Sequence, residues 1–185
     1  MKKIIIPLIA IMLLAIPVLA VPENITTGPY RISFDLGISK EAYLIEIKEP
    51  KQEESLGGHI STEYIIQITN KTGITHLLQI GLTKSVEATP VPTAEELRQI
   101  LLYIAYNNKK LKNVVSATRI IDGSNGAIVS ADFSTLALDY TTKTFVAMFY
   151  PTIDSSHLSC LIISCYPWDA GTLQLLKTIH IEKVK

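Results

Sequence analysis

Thr93-Ala94-Glu95-Glu96-Leu97-Arg98-Gln99-Ile100-Leu101-Leu102-Tyr103-Ile104-Ala105-Tyr106 reads as one capped helix set between two runs of strands, and its position decides the fold class. Thr93 stands at the N-cap with Glu96 three residues on. Each side chain can then accept from the other's backbone amide, satisfying two donors that a helix start otherwise orphans. Leu97, Ile100, Leu101 and Ile104 recur at spacings of three, four and seven, which predicts the stripe that packs on a sheet. Leu102 and Tyr106 point away from that stripe. They are either covered by the proline-stiffened segment after Ala88 or exposed as a contact surface for a partner.

Upstream, Tyr30, Ile32 and Phe34 alternate with polar neighbours, and Tyr43, Ile45 and Ile47 do the same, a period of two that predicts half-buried strands. The charged stretch Glu49 to Glu54, followed by Gly57-Gly58, reads as a loop. A long hairpin follows, with arms Thr62 to Thr69 and Ile74 to Thr83 joined across Asn70-Lys71-Thr72-Gly73. Downstream come Val114 to Ile121, a turn over Asp122 to Gly126, Ala127 to Phe133, Thr144 to Tyr150 and Leu158 to Cys165. Asp169 is a good N-cap for a closing helix whose apolar side is Leu173, Leu176 and Ile179. Trp168, at the corner before it, either plugs the end of the core or forms an aromatic lip on a binding cleft. The expectation is an α+β fold: a largely antiparallel sheet of about six to eight strands, with a capped central helix and a C-terminal helix packed on it.

The first twenty residues predict an address. Lys2 and Lys3 precede an apolar run from Ile4, Pro17 breaks it, and Val18-Leu19-Ala20 suits a signal peptidase. The boundaries expected are a signal peptide over 1–20, a flexible segment over 21–27 and a single domain over 28–185. The protein is then secreted or held at the cell surface; the alternative is an uncleaved N-terminal helix that anchors it, the membrane being touched only there. Lys2 and Lys3 belong to the leader, so the 17 basic side chains fall to 15 against 17 acidic ones in the mature part. That balance, with no basic cluster larger than Lys109, Lys110 and Lys112, argues against a nucleic-acid partner. Asn24-Ile25-Thr26 and Asn70-Lys71-Thr72 are acceptors for N-linked sugar, which fits export.

Catalytic and metal signatures are sparse. Cys160 and Cys165 share one predicted strand at an odd offset, which puts their sulfurs on opposite faces and more than about 15 Å apart. Asp122 to Gly126 crowds oxygen ligands and glycine together, but position two is glycine and position twelve is Phe133, so a calcium loop is not formed. Asp154, Ser156 and His157 are adjacent, whereas catalytic triads draw converging side chains from distant positions. His59, His76 and His180 stand far apart. No metal or cofactor is expected, and no catalytic residue is assigned. A secreted hydrolase using Asp122, Asp132 or Asp154 is kept as the alternative function, beside a passive glycosylated surface constituent.

The order of elements, the strand Tyr30-Arg31-Ile32-Ser33-Phe34 and the closing Trp168-Asp169 to Leu176-Lys177-Thr178-Ile179 helix resemble the Mog1/PsbP/DcrB-like family of small α/β/α sandwiches. The chain also resembles small exported proteins of methanogenic archaea. The resemblance implies a binding or accessory subunit that recognises an envelope protein or a small ligand. It carries no catalytic, metal or cofactor residue across, and a likeness of fold does not itself assign a function. Leu102, Tyr106 and Trp168 are the candidate partner contacts; Asn24 and Asn70 are the candidate glycosylation sites.

Overall fold

The structure, a computed structural model, describes residues 22–55, 58–71, 77–134, 141–165 and 169–184. They form a mixed α+β fold in antiparallel sheets. Strands β1 (Glu23–Thr27), β2 (Tyr30–Phe34), β3 (Tyr43–Ile47), β4 (Lys51–Glu54), β5 (Ile60–Asn70) and β6 (Leu77–Ser85) precede helix α1 (Ala94–Asn107). Then follow β7 (Leu111–Ile121), β8 (Ser124–Ser134), β9 (Thr141–Phe149), β10 (Leu158–Cys165), helix α2 (Asp169–Thr178) and β11 (His180–Lys183). The larger sheet has eight strands in the order β3-β5-β6-β10-β9-β8-β7, with β4 also paired to β5. A second sheet of three strands, β1-β2-β11, stands apart from it.

Alternation along each strand sends side chains to two different cores. Ile66, Ile68, Leu78, Ile80, Leu82, Ala147, Phe149, Cys160 and Ile162 face Ile25, Ile32, Phe34 and Ile181 of the small sheet, Leu175 and Leu176 of α2, and Ile179 just after that helix. The opposite face of β8 presents Ala127 and Val129, and there α1 lays down Leu97, Leu101 and Ala105. Fully burying one such leucine is worth about 1.5–3 kcal/mol. The result is three layers, with α1 on one side of the large sheet and α2 with the small sheet on the other.

The capping box forms as read. Thr93 Oγ1 accepts from the Glu96 amide at 3.2 Å, and Glu96 Oε2 accepts from the Thr93 amide at 2.7 Å. The buried stripe, however, is rotated from the expected one. Leu97, Leu101 and Ala105 point inward while Ile100 and Ile104 are exposed. Ala105 meets a sheet surface that carries Ala127, so small side chains let the helix sit close there.

Three other readings are corrected. Residues 21–27 were expected to be a flexible lead-in, but Glu23–Thr27 is a strand in full register with β2, from Glu23 opposite Phe34 to Thr27 opposite Tyr30. Its inward positions include a carboxylate: buried Glu23 accepts from the Tyr43 hydroxyl at 2.7 Å and from Lys40 at 3.0 Å, which satisfies the charge. The charged stretch read as a loop contains β4, whose four exposed residues pair with β5. Backbone pairing with a free edge, not burial, makes that strand. Finally, the expected single sheet is accompanied by the separate three-stranded one.

Two glycines are demanded by geometry. Gly28 turns β1 into β2 at φ +53°, and a Cβ there would lie 2.2 Å from the Tyr64 ring. Asp122 and Gly123, at φ 49° and 69°, make the two-residue turn between β7 and β8, the left-handed pair that matches strand twist in a tight hairpin.

Candidate functional site

Ser156, His157 and Asp154 do come together, but not in the geometry of a relay. His157 Nδ1 lies 2.9 Å from Asp154 Oδ1 and 2.9 Å from Ser156 Oγ. A triad needs the acid on one ring nitrogen and the nucleophile on the other. Here both partners converge on the same nitrogen. Asp154 is also held by Lys84, whose hydrogen bond is the main reason its carboxyl stays below the ordinary carboxylate range. The loop has a structural task instead: the carbonyls of His157 and Ser156 accept from the amides of Ser85 at 2.8 Å and Thr89 at 2.7 Å, fastening the strap that leads to α1.

The remaining candidate acids are each engaged locally. Asp122 accepts from the Ile181 amide at 3.0 Å and bonds His180 Nδ1 at 2.8 Å, tying the β7–β8 turn to β11. Asp132 accepts from Asn113 at 2.6 Å, across the register shift in β7 where Asn113 adopts φ 51°. His59 pairs with Glu87 at 2.7 Å. Among the described residues no group of three His, Cys, Asp or Glu is placed to hold a metal ion. Cys160 is a free, buried thiol whose ionisation is pushed far up by desolvation, so it behaves as a small apolar side chain.

Of the expected partner contacts, Leu102 is half-buried in the second core with Leu111, Val114, Val146, Met148 and Tyr150. Tyr106 is exposed. The apolar surface lies instead on the solvent face of α1, where Ile100, Tyr103, Ile104 and Tyr106 are 44%, 73%, 59% and 69% exposed. Ile100 also closes a groove of about 540 Å³ with Pro90, Val91 and Pro92 of the strap. Neither explanation offered for Leu102 and Tyr106 holds for both: one is core, the other surface. Trp168, His76, Thr72 and the leader lie outside the described residues. Asn24 is exposed on β1, the edge of the small sheet, and Asn70 is half-buried at the end of β5.

A second concavity lies across the sheet from α1. A cleft of about 420 Å³ is lined by Arg119, Ile121 and Asp122 from β7 and its turn and by Leu173, Leu176 and Lys177 from α2. A smaller one of about 200 Å³ adjoins it through Leu173, with Ile128, Ser130 and Phe145 on its sheet side. Neither surface was read from the sequence. Arg119 is a lone cation in the apolar run from Val114 to Ile121, a visible signal that gains meaning only once Lys177 is beside the same cleft.

Comparison with known proteins returns no match: no family model, curated protein or solved structure corresponds to this chain.

Proposed function

We propose that this chain is an exported accessory domain of the cell envelope that docks on a protein partner through the outer face of α1. The observation that carries the reading is the row Ile100, Tyr103, Ile104 and Tyr106, large apolar side chains in solvent on a helix whose inner face and cap are already satisfied. Aromatic and aliphatic side chains grouped this way favour desolvation by a partner. The partner surface would be an apolar strip with acidic groups at the end that meets Lys109 and Lys110, both exposed just past the helix. The leader pattern over 1–20 supports delivery outside the cytoplasm, and exposed Asn24 fits a glycosylated surface. The likeness to Mog1/PsbP/DcrB-like sandwiches supports an accessory rather than a catalytic role.

The test is a pair of variants assayed by capture from the native envelope and by thermal melting. Tyr103→Ser with Ile104→Ser abolishes capture and leaves melting unchanged; Leu102→Ala lowers melting and, below the transition, keeps capture. Capture that survives the double substitution refutes the reading.

A further inference from the structure

The large sheet extends beyond α2, and what it presents there is an apolar shelf with one charged end. Across β7, β8 and β9 the register sets Val115, Ser130 and Phe145 in one row, Ala117 and Ile128 beside the core residue Ala147 in the next, and Arg119 beside the buried Gly126 and Phe149 in a third, so the open shelf is carried by Val115, Ala117, Ile128, Ser130 and Phe145. Two residues separate successive rows, so Arg119 stands about 13 Å from the Val115 row at ordinary strand rise. Lys177 reaches the same end from α2. At the opposite end the register sets Lys143 directly across from Asp132, so that end holds one charge of each sign.

Arg119 and Lys177 make no ion pair among the described residues, whereas Arg31, Lys40, Lys84 and Arg98 each meet a carboxylate. The one acid in their cleft, Asp122, already has both oxygens occupied by His180 and the Ile181 amide. Two cations against the single carboxylate of Asp122 leave the cleft one positive charge in excess beside apolar walls, which favours a ligand that brings its own negative charge and its own apolar surface.

We propose that this cleft binds an amphipathic anion, its carboxylate or phosphate headgroup between Arg119 and Lys177 and its apolar body along Leu173, Ile128 and Phe145. The site lies on the other side of the sheet from the α1 surface, so its failure leaves the docking reading untouched.

Calorimetric titration of the full chain with decanoate tests it, beside decyl phosphate, decyltrimethylammonium, inorganic phosphate and phosphatidylglycerol vesicles. The expected result is saturable binding of decanoate and decyl phosphate. Affinity falls about tenfold or more in Arg119→Gln with Lys177→Gln, or when the apolar body is removed by using inorganic phosphate. Ala117→Glu, on an exposed shelf position, weakens binding independently of the cations. The proposal is overturned if neither decyl anion saturates, if decyltrimethylammonium binds as well, if all variants bind as the native chain does, or if only the vesicles are bound.

Discussion

Leu101→Ala and Ile104→Ala separate the two faces of α1 most cleanly. Leu101 is 2% exposed and packs in the core shared with Ala127 and Val129, while Ile104, three residues on, is 59% exposed. Truncating the buried leucine removes its transfer energy and leaves a cavity under the helix, a loss of about 3 kcal/mol. Truncating the exposed isoleucine leaves stability within about 0.5 kcal/mol, because its side chain is already hydrated and alanine is the better helix former. In a domain of this size each kcal/mol moves the melting temperature by roughly 2–4 °C, so Leu101→Ala lowers it by roughly 6–12 °C. Ile104→Ala shifts it by less than about 2 °C. Thermal melts of both variants, with urea unfolding to obtain the free energies, make the comparison. An Ile104→Ala loss equal to or greater than that of Leu101→Ala refutes the assignment of faces.

Further outcomes follow from local chemistry. Gly28→Ala costs about 2 kcal/mol or more, seen as an earlier melt, since the new Cβ both strains a left-handed residue and displaces the Tyr64 ring. Thr93→Ala costs about 1 kcal/mol, and Thr93→Asp recovers most of it, as measured by urea midpoints. Asp154 is held below its ordinary pKa, so its ionised form favours the folded state above pH about 4, and that contribution disappears as pH falls through the lower folded value. Lys84→Met therefore flattens the acid limb of a melting-temperature profile. At the alkaline end, burial raises the Tyr30 hydroxyl to about 12 and its neighbours Asp154 and Tyr64 add to the shift, so its stabilising effect is lost as pH rises from about 10 through that value. Ultraviolet titration of the native protein then shows late phenolate absorbance, which Tyr43 and Tyr150 share because burial raises them too, and Tyr30→Phe lowers its amplitude.

What the sequence disclosed was local. Thr93 and Glu96 are three residues apart and answer each other without help from the fold, so the cap is legible; the period-two runs of β2 and β3 are legible for the same reason. The orientation of α1 was not, because ranking side chains by hydrophobicity selects Ile100 and Ile104 over Ala105, whereas the sheet beneath selects for close approach. β1 was hidden by its inward Glu23, which is tolerable only because Tyr43 and Lys40 arrive from elsewhere in the chain. β4 was hidden because all its side chains are charged or amide and exposed. Asp154, Ser156 and His157 meet at one ring nitrogen, a convergence that their nearness in sequence does not disclose. Of the candidate surfaces, Tyr106 was named from sequence, while Tyr103, Arg119 and Lys177 needed the packing.

The most direct measurement of the account is photo-cross-linking in the native envelope from a reactive residue placed at Tyr103, with the same residue at Asn125, exposed at the β7–β8 hairpin, as the control. A discrete adduct from position 103 and none from 125 is the predicted result. The same adducts from both positions, or none from 103, would contradict recognition through the outer face of α1.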